Sequence, residues 1–324
     1  MNCFDVLRQL SAEHFISGEA LASQLGVSRS LIWQALQQAE HYGIEVHSIR
    51  GRGYRLSRPL IWLDEATIAR HLGSQARFFD LKLFDSTGST NTELLAAAGK
   101  GAPSGMVYAA EWQTAGRGRR GRQWRGELGA SLMFSLLWRF DCGAAQLSGL
   151  SLAVGIALAR AVERHGATQA RLKWPNDLIA GTQKLAGILI EVQGDALGPN
   201  AAVIGIGLNI NLSQQARTAL DQPITDMQAQ GGETNRNVLL AGILAELADI
   251  LPAFESGGFK PLVAEWERRH AWHHQPVTIL HSNGEQSEGV ALGITDDGAL
   301  RVSGAQGEFR LFAGDVSLRR KDSN

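Results

Sequence analysis

Four arginines and three glycines fall within seven residues, Gly116-Arg117-Gly118-Arg119-Arg120-Gly121-Arg122, with Trp112 and Trp124 on the flanks. Such a stretch cannot build a core. Its glycines leave the backbone free to wrap a ligand. Its guanidiniums present forked donors that match phosphate or carboxylate. The chemistry that fits is capture of a small anion with apolar parts, a nucleotide first of all. Gly116, Gly118 and Gly121 also match the literal dinucleotide-binding fingerprint, but that fingerprint works only where a helix begins inside it. Here Gln123-Trp124-Arg125-Gly126 follows, which starts no helix, and the next regular stretch, 131–140, reads as a strand. The segment reads as a dedicated anion-binding loop. A solvated basic surface loop is the alternative, and the strict alternation of Gly and Arg argues against it.

Further segments carry groups of the same kind. Ser86-Thr87-Gly88-Ser89-Thr90-Asn91 offers hydroxyls at a helix N-terminus. Lys173-Trp174-Pro175-Asn176-Asp177 ends a strand in a turn that presents an amide and a carboxylate. Lys184 to Leu189 starts a strand with a cation, and Glu191 lies seven residues after Lys184 on that strand. Gly205-Ile206-Gly207-Leu208-Asn209-Ile210-Asn211 breaks a strand with small residues and ends it with two amides. The bland readings are an exposed strand lysine for Lys184 and a turn former for Asp177. Beside the arginine loop, the functional readings are preferred.

The bulk numbers bound the rest. A chain of 324 residues, 44% hydrophobic and 19% charged, suits two or three globular domains. A net charge of −1 excludes a polycation, so nucleic-acid affinity has to come from a local patch. Two cysteines, Cys3 and Cys142, exclude a disulfide framework and a Cys-based zinc site, and they suit a reducing cytoplasm. The N-terminal stretch carries Asp5 and Glu13 and has no apolar run of signal-peptide length. The apolar window 147–162 is too short to span a bilayer and reads as a buried helix. His270, His273, His274 and His281 have no carboxylate or cysteine placed to complete a metal site, and they read as solvated histidines near a domain boundary.

The elements that must position these groups follow from pattern. Helices are expected at 4–10, 19–25 and 29–42, with Gly26-Val27-Ser28 as a tight turn and Ser28 as an N-cap. Helix, short turn with Gly, helix is the helix-turn-helix signature. Arg29, Trp33, Gln34 and Gln37 face out and would read DNA. A hairpin, 44–56, turning at Arg50-Gly51-Arg52-Gly53, makes a wing, and Arg50, Arg52, Arg55 and Arg58, close together without an acid, are expected to contact DNA phosphates rather than form a merely solvated hairpin. Residues 57–63 read as a linker. The middle predicts strands near 79–84, 105–112, 131–139, 170–174, 184–193 and 201–212, and helices near 64–72, 90–98, 147–165, 236–255 and 260–270. Residues 213–235 form a long polar segment, expected to be a lid or disordered. Short strands after 277, with Asn283-Gly284 and Asp297-Gly298 as hairpin turns, predict a small SH3-like β-barrel. The fold class is thus α+β and multidomain: a winged helix-turn-helix at 1–63, a mixed-sheet domain at 64–272 and the small barrel at 273–324.

In this order, Ser89-Thr90-Asn91, Gly116 to Arg122, Lys173 to Asp177, Lys184 to Leu189 and Gly205 to Asn209 resemble the biotin protein ligases, in particular the bifunctional subgroup that also acts as biotin operon repressor. The resemblance covers the whole chain. It implies that ATP, with Mg2+, and biotin give biotinyl-5′-adenylate and pyrophosphate, and that biotin then passes to a lysine of a biotin carboxyl carrier protein. It implies further that the adenylate-bound form dimerises and represses on operator DNA, in the cytoplasm and away from any membrane. Ser89, Thr90, Asn91, Gln113, Gly116, Arg117, Arg119 and Lys184 are implied to hold biotin. Arg119, Arg122, Trp124, Asn176, Asp177, Lys184 and Asn209 are implied on the ATP or adenylate side, with Arg319 or Arg320 near the C-terminus. Lys184, Arg119 and Asp177 are the expected catalytic residues. No resident metal is expected. A ligase whose winged helix has lost its operator, and a regulator that senses an anion without chemistry, are the competing readings.

Overall fold

The computed structural model describes residues 2–218, 222–281, 285–313 and 316–320, leaving out the side chains of 316, 317, 319 and 320. Three short helices open the chain: α1 (Cys3–Leu7), α2 (Gly18–Leu25) and α3 (Arg29–Gln37). Each starts on a polar cap. Asn2 and Asp5 exchange capping bonds, and the hydroxyls of Ser17 and Ser28 accept from the amides of Ala20 and Leu31. The third helix stops earlier than its pattern predicts. After Gln37 the chain tightens into a 3-10 turn over 39–42, which Gly43 ends in the left-handed conformation. The hairpin β1 (Val46–Ile49) and β2 (Gly53–Leu56) is the wing.

The central domain contains α4 (Glu65–Leu72), β3 (Asp80–Thr87), α5 (Thr90–Gly99), β4 (Met106–Gln113), β5 (Ser131–Phe140), α6 (Leu150–Arg164), β6 (Ala170–Lys173), β7 (Asp177–Ala180), β8 (Gln183–Gly194), β9 (Asn200–Asn209), α7 (Gln214–Thr218), α8 (Arg236–Gly257) and α9 (Val263–Arg269). Its sheet runs β3-β4-β5-β9-β8-β7-β6. Only β3 and β4 are parallel among these pairs. Every residue of β9 is buried, as a central strand covered on both faces requires. Packing of α6 and α8 builds the main core on one face, and α5 covers the other through Leu94 and Ala98. The stretches 144–164 and 236–257 are long and apolar enough to cross a membrane, yet most of each is buried within the protein.

The C-terminal strands β10 (Pro276–His281), β11 (Gln286–Ile294), β12 (Leu300–Gly304), β13 (Gly307–Leu311) and β14 (Val316–Arg320) form an antiparallel sheet ordered β13-β12-β11-β10-β14. The expected Asn283-Gly284 turn and the side chains of Arg319 and Arg320 lie outside the described residues.

Four expectations need correction. Strand β7 has no counterpart in the sequence reading, because only three residues separate it from β6. The segment 213–235 is not a loose lid over its described length. It carries α7, Ile224 to Met227 are buried, and the backbone of Lys184 bonds to Pro223 and Thr225. Buried Asp226 accepts from the Leu212 and Ala229 amides and pairs with Arg217. The linker is also held. Glu111 accepts from the Leu63 amide, and Arg236 donates to the Ile61 carbonyl while sitting 2.6 Å from Glu111. Lastly, His270 is not solvated. It packs on Trp266 at 4.5 Å between ring centroids, and burial pushes its pKa down to about 3.

Candidate active site

The first turn of α5 meets the end of β4 at one end of the cleft. Ser89 has extended N-cap dihedrals, but its side chain makes no capping bond. The cap is supplied across the fold: the Thr90 amide donates to Gln113 Oε1 at 2.7 Å, and the Thr90 hydroxyl reaches the same oxygen at 3.2 Å. This leaves the buried Ser89 hydroxyl uncommitted to the helix. From Thr90 a polar ladder continues through Ser135 (2.7 Å) to Asn91 Oδ1 (2.5 Å). The Asn91 amide donates to Glu191 at 3.0 Å, and Glu191 accepts from Arg117 at 2.6 Å. Ser135 was not foreseen. Its signal was a hydroxyl in the middle of an apolar buried strand.

The opposite wall comes from the β6–β7 turn and the start of β8. Lys184 Nζ lies 2.6 Å from Asp177, both about one-sixth exposed. Asn176 is fixed by donating to the Ile188 carbonyl at 2.7 Å, and its Oδ1 accepts from Arg119 at 3.1 Å. The other arm of Arg119 donates to the carbonyl of Ala313, in the turn that follows β13. Burial, and then the neighbouring Arg120, hold the Arg119 guanidinium below its ordinary pKa, while Asp177 opposes them.

Between the two walls lies the Trp124 indole, with Lys184 Nζ 5.8 Å from its ring. The glycines of β8 and β9 make room for it. A Cβ at Gly207 would sit 2.2 Å from the indole, and one at Gly205 would sit 2.1 Å from Asn91 Oδ1. The residue types of the Gly205-Ile206-Gly207 break are therefore dictated by what packs on them.

Together these groups line a narrow cleft, completed by apolar Phe134, Ile188, Leu189 and Ile206. Ser89, Thr90, Asn91, Gln113, Arg117, Arg119, Trp124, Asn176 and Lys184 all reach it. The other expected site residues stand elsewhere. Asp177 stands behind Lys184. Gly116 is buried where its carbonyl accepts from the Trp124 amide. Arg122 is exposed on the loop. Asn209 is a wall support: buried, it donates to the carbonyls of Lys184 and Thr225. Among the described residues no group of three or more His, Cys, Asp or Glu could hold a metal ion. The cleft thus offers a ladder of donors and acceptors at one end, an apolar slot in the middle and cations at the other end. Those features suit a ligand with a polar head, an apolar body and an acidic tail to be joined to a phosphate.

On the winged helix, Arg29, Trp33, Gln34 and Gln37 are exposed on one side of α3, and Arg50 and Arg52 are exposed at the wing tip. Arg55 and Arg58 differ from the sequence reading. They turn inward, Arg55 to the Ala12 carbonyl at 2.7 Å and Arg58 to the Asn211 carbonyl at 3.3 Å.

Comparison with known proteins completes the picture. The Biotin/lipoate A/B protein ligase family model matches residues 83–211, an HTH domain model matches 3–55 and the Biotin protein ligase C terminal domain matches 274–319. The bifunctional ligase/repressor BirA of Escherichia coli (strain K12) is 35% identical over 310 residues, spanning 96% of this chain and 95% of its own. The protein of the same name from Bacillus subtilis (strain 168) is 30% identical over 313 residues, spanning 95% of each. A solved structure of biotin protein ligase from Aquifex aeolicus, in complex with biotin and ATP, has a TM-score of 0.64 at 24% identity. It covers 75% of this chain and 99% of that one, and it shows the shared fold.

Proposed function

This chain belongs to the bifunctional biotin ligase and repressor family, and on that premise we propose how its residues carry out the two half-reactions and the regulation. The enzyme is an ATP-dependent biotin–protein ligase. A biotin carboxylate oxygen attacks the α-phosphorus of ATP, and pyrophosphate leaves. The amine of a carrier-protein lysine then attacks the biotinyl carbonyl, and AMP leaves.

Biotin's ureido ring is held by Ser89, Thr90, Asn91 and Gln113, of which Gln113, Thr90 and Asn91 already share one hydrogen-bond ladder through Ser135. Its apolar ring and chain lie in the cleft against Trp124, Phe134, Ile188, Leu189 and Ile206. Arg117, Arg119 and Lys184 neutralise the carboxylate and phosphates as the two anions approach. Preorganised charge of this sort is usually the largest catalytic term, each charge-assisted bond contributing roughly 1.5–3 kcal/mol. Asn176 orients the adenylate side, and Asp177, reached past its partner Lys184, takes the proton of the incoming lysine. Mg2+ enters with the triphosphate, in keeping with its preference for phosphate oxygens and few protein carboxylates.

The observation that carries this reading is the geometry of the two ends: the ladder from Gln113 to Glu191 on one side, and the Lys184–Asp177 pair with Arg119 on the other. Incubation with biotin, ATP, Mg2+ and a carrier domain, read by mass, tests it. A carrier that gains no biotin refutes it.

Residues 1–63 act as the operator-binding domain, 64–272 as the ligase domain and 273–324 as its C-terminal partner. Arg29, Trp33, Gln34 and Gln37 enter the major groove, and Arg50 and Arg52 meet phosphates. The adenylate promotes a homodimer that brings two recognition helices onto a palindromic operator. The protein works in the cytoplasm. Sedimentation with and without biotin and ATP tests the dimer, and equal association in both conditions refutes it.

A further inference from the structure

The ligase domain sends one side chain into the core of the winged helix. Leu128 is fully buried, and its neighbours in that core are residues of α1 to α3 and the wing. Its amide donates to the Tyr42 carbonyl at 3.3 Å. Four residues earlier in the chain, Trp124 walls the ligand cleft. Between them, Glu127 accepts from both the amide (2.7 Å) and the hydroxyl (2.6 Å) of Ser213, at the start of α7. On the other side of Leu128, Gly129 lies so close to the linker that a Cβ there would meet Leu60 at 2.1 Å. One short segment thus touches the cleft, α7, the linker and the winged-helix core.

A second contact runs beside it. On β4, Gln113 caps the helix at the cleft, while the adjacent Trp112 packs edge-on against Tyr42 at 5.3 Å. His41 stands 6.0 Å from the same indole. Adjacent residues of a strand point to opposite faces. A shift of β4 that displaced Gln113 would therefore also displace Trp112 against the winged helix.

We propose that residues 124–128 form a strap through which the docked winged helix holds the wall of the ligand cleft, with Leu128 as its anchor. Occupancy of the cleft and docking of the winged helix then stabilise each other. Leu128 is a positioning residue: it touches no ligand and acts through Trp124. Coupling of this type is reciprocal by necessity. Adenylate retention should depend on the anchor, and winged-helix protection should depend on adenylate. The proposal rests on the biotin ligase reading, which supplies the ligand.

The full chain is assayed for biotin-dependent ATP–pyrophosphate exchange and for release of preformed adenylate. Leu128→Ala should speed release about tenfold and raise KM for biotin while kcat stays within twofold, and Leu128→Met should restore most of the loss. Release within twofold of the parent overturns the strap, as does a fall in kcat alone. Hydrogen exchange on the unaltered chain tests the coupling without a variant. Biotin with ATP should slow exchange at the amides of Leu128 and of Gly43 and Ile44 by tenfold or more, at protein concentrations where the chain sediments as a monomer. Unchanged exchange overturns the proposal. A parent that forms no adenylate overturns the ligase reading instead.

Discussion

Gly207→Ala tests whether the Trp124 indole, seated on the sheet, is the wall against which the ligand's apolar body lies. The added Cβ would lie 2.2, 2.4 and 2.7 Å from three atoms of the Trp124 indole. Ordinary contact needs about 3.5 Å or more, so the ring must move by about 1 Å. The strand cannot yield in its place. Gly207 pairs with Met133 of β5 on one side and Gly187 of β8 on the other, and β9 is buried along its length. The indole is therefore displaced from the wall it makes for the cleft. Overpacking of this size costs roughly 1–3 kcal/mol, which converts to a weakening of roughly fivefold to 150-fold at about 1.4 kcal/mol per decade.

The assay is biotin-dependent ATP–pyrophosphate exchange, with KM for biotin as the readout and thermal unfolding as control. Trp124→Ala removes the atoms that clash, so the double variant should be no worse than Trp124→Ala alone. That non-additivity is the expected mark of two residues in contact. A Gly207→Ala enzyme with unchanged KM, or losses that simply add, would sink the argument that Gly207 exists to seat the indole.

Lys184→Ala should impair adenylate formation more than transfer from preformed adenylate, and equal losses in single-turnover assays of the two steps would refute its role at the phosphates. Arg236→Met leaves the Glu111 carboxylate, 2% exposed, without its 2.6 Å partner. Breaking a buried pair from one side costs about 3–5 kcal/mol, so urea unfolding should lose stability on that scale, and a loss below 1 kcal/mol refutes it. Arg52→Ala should lower the slope of log affinity for operator against log salt by about one unit, and an unchanged slope would count against the wing tip as a phosphate contact. His270 has its pKa lowered from 6.5 to about 3 by burial and then by His273. The unfolded chain therefore binds the extra proton first as pH falls, so stability declines from about pH 6.5 down to about pH 3. By linkage the loss is about 2 kcal/mol at pH 5. His270→Phe should flatten that part of the profile, and a profile with the same slope in both proteins would contradict it.

The site was legible where chemistry forces residue type. Arg117, Arg119, Lys184, Thr90 and Gln113 announce themselves because charged and hydroxyl groups in Gly-rich surroundings have few structural uses. The supports were harder to see. Asn209 has the residue type of a ligand-binding amide, yet its two bonds to carbonyls stabilise the start of β8. Arg55 and Arg58 share the spacing of Arg50 and Arg52, and only the fold decides that they bond backbone carbonyls. The segment 213–235 reads as polar, but Asp226 is buried because three partners satisfy it. Satisfaction of buried polar groups depends on distant sequence, so periodicity cannot report it. Strand β7 was missed for a related reason: its four residues are too few to set a period.

Two of the cleft's cations are balanced within the protein: Lys184 has Asp177 and Arg117 has Glu191, whereas Arg119 meets the neutral oxygens of Asn176 and Ala313. At Lys184 or Arg117, a ligand bringing one negative charge exchanges one ion pair for another, and it also exposes the acid left behind. Such an exchange contributes little to affinity, since even good ion pairs offset much of their gain by desolvation. A polyanion gains more, because several phosphate oxygens can engage Lys184 and Arg119 at once while Mg2+ carries part of the charge. On the proposed reading, preference for a carboxylate that arrives with a triphosphate follows from this pairing together with the charge of Arg119. The polar ladder at the other end needs no such exchange. Its groups are neutral apart from Glu191, so they can select the ligand's head by geometry alone. On the proposed reading, binding of the acid is decided at the ladder and its activation at the cations, and the length of the cleft between them fixes which acids can satisfy both ends.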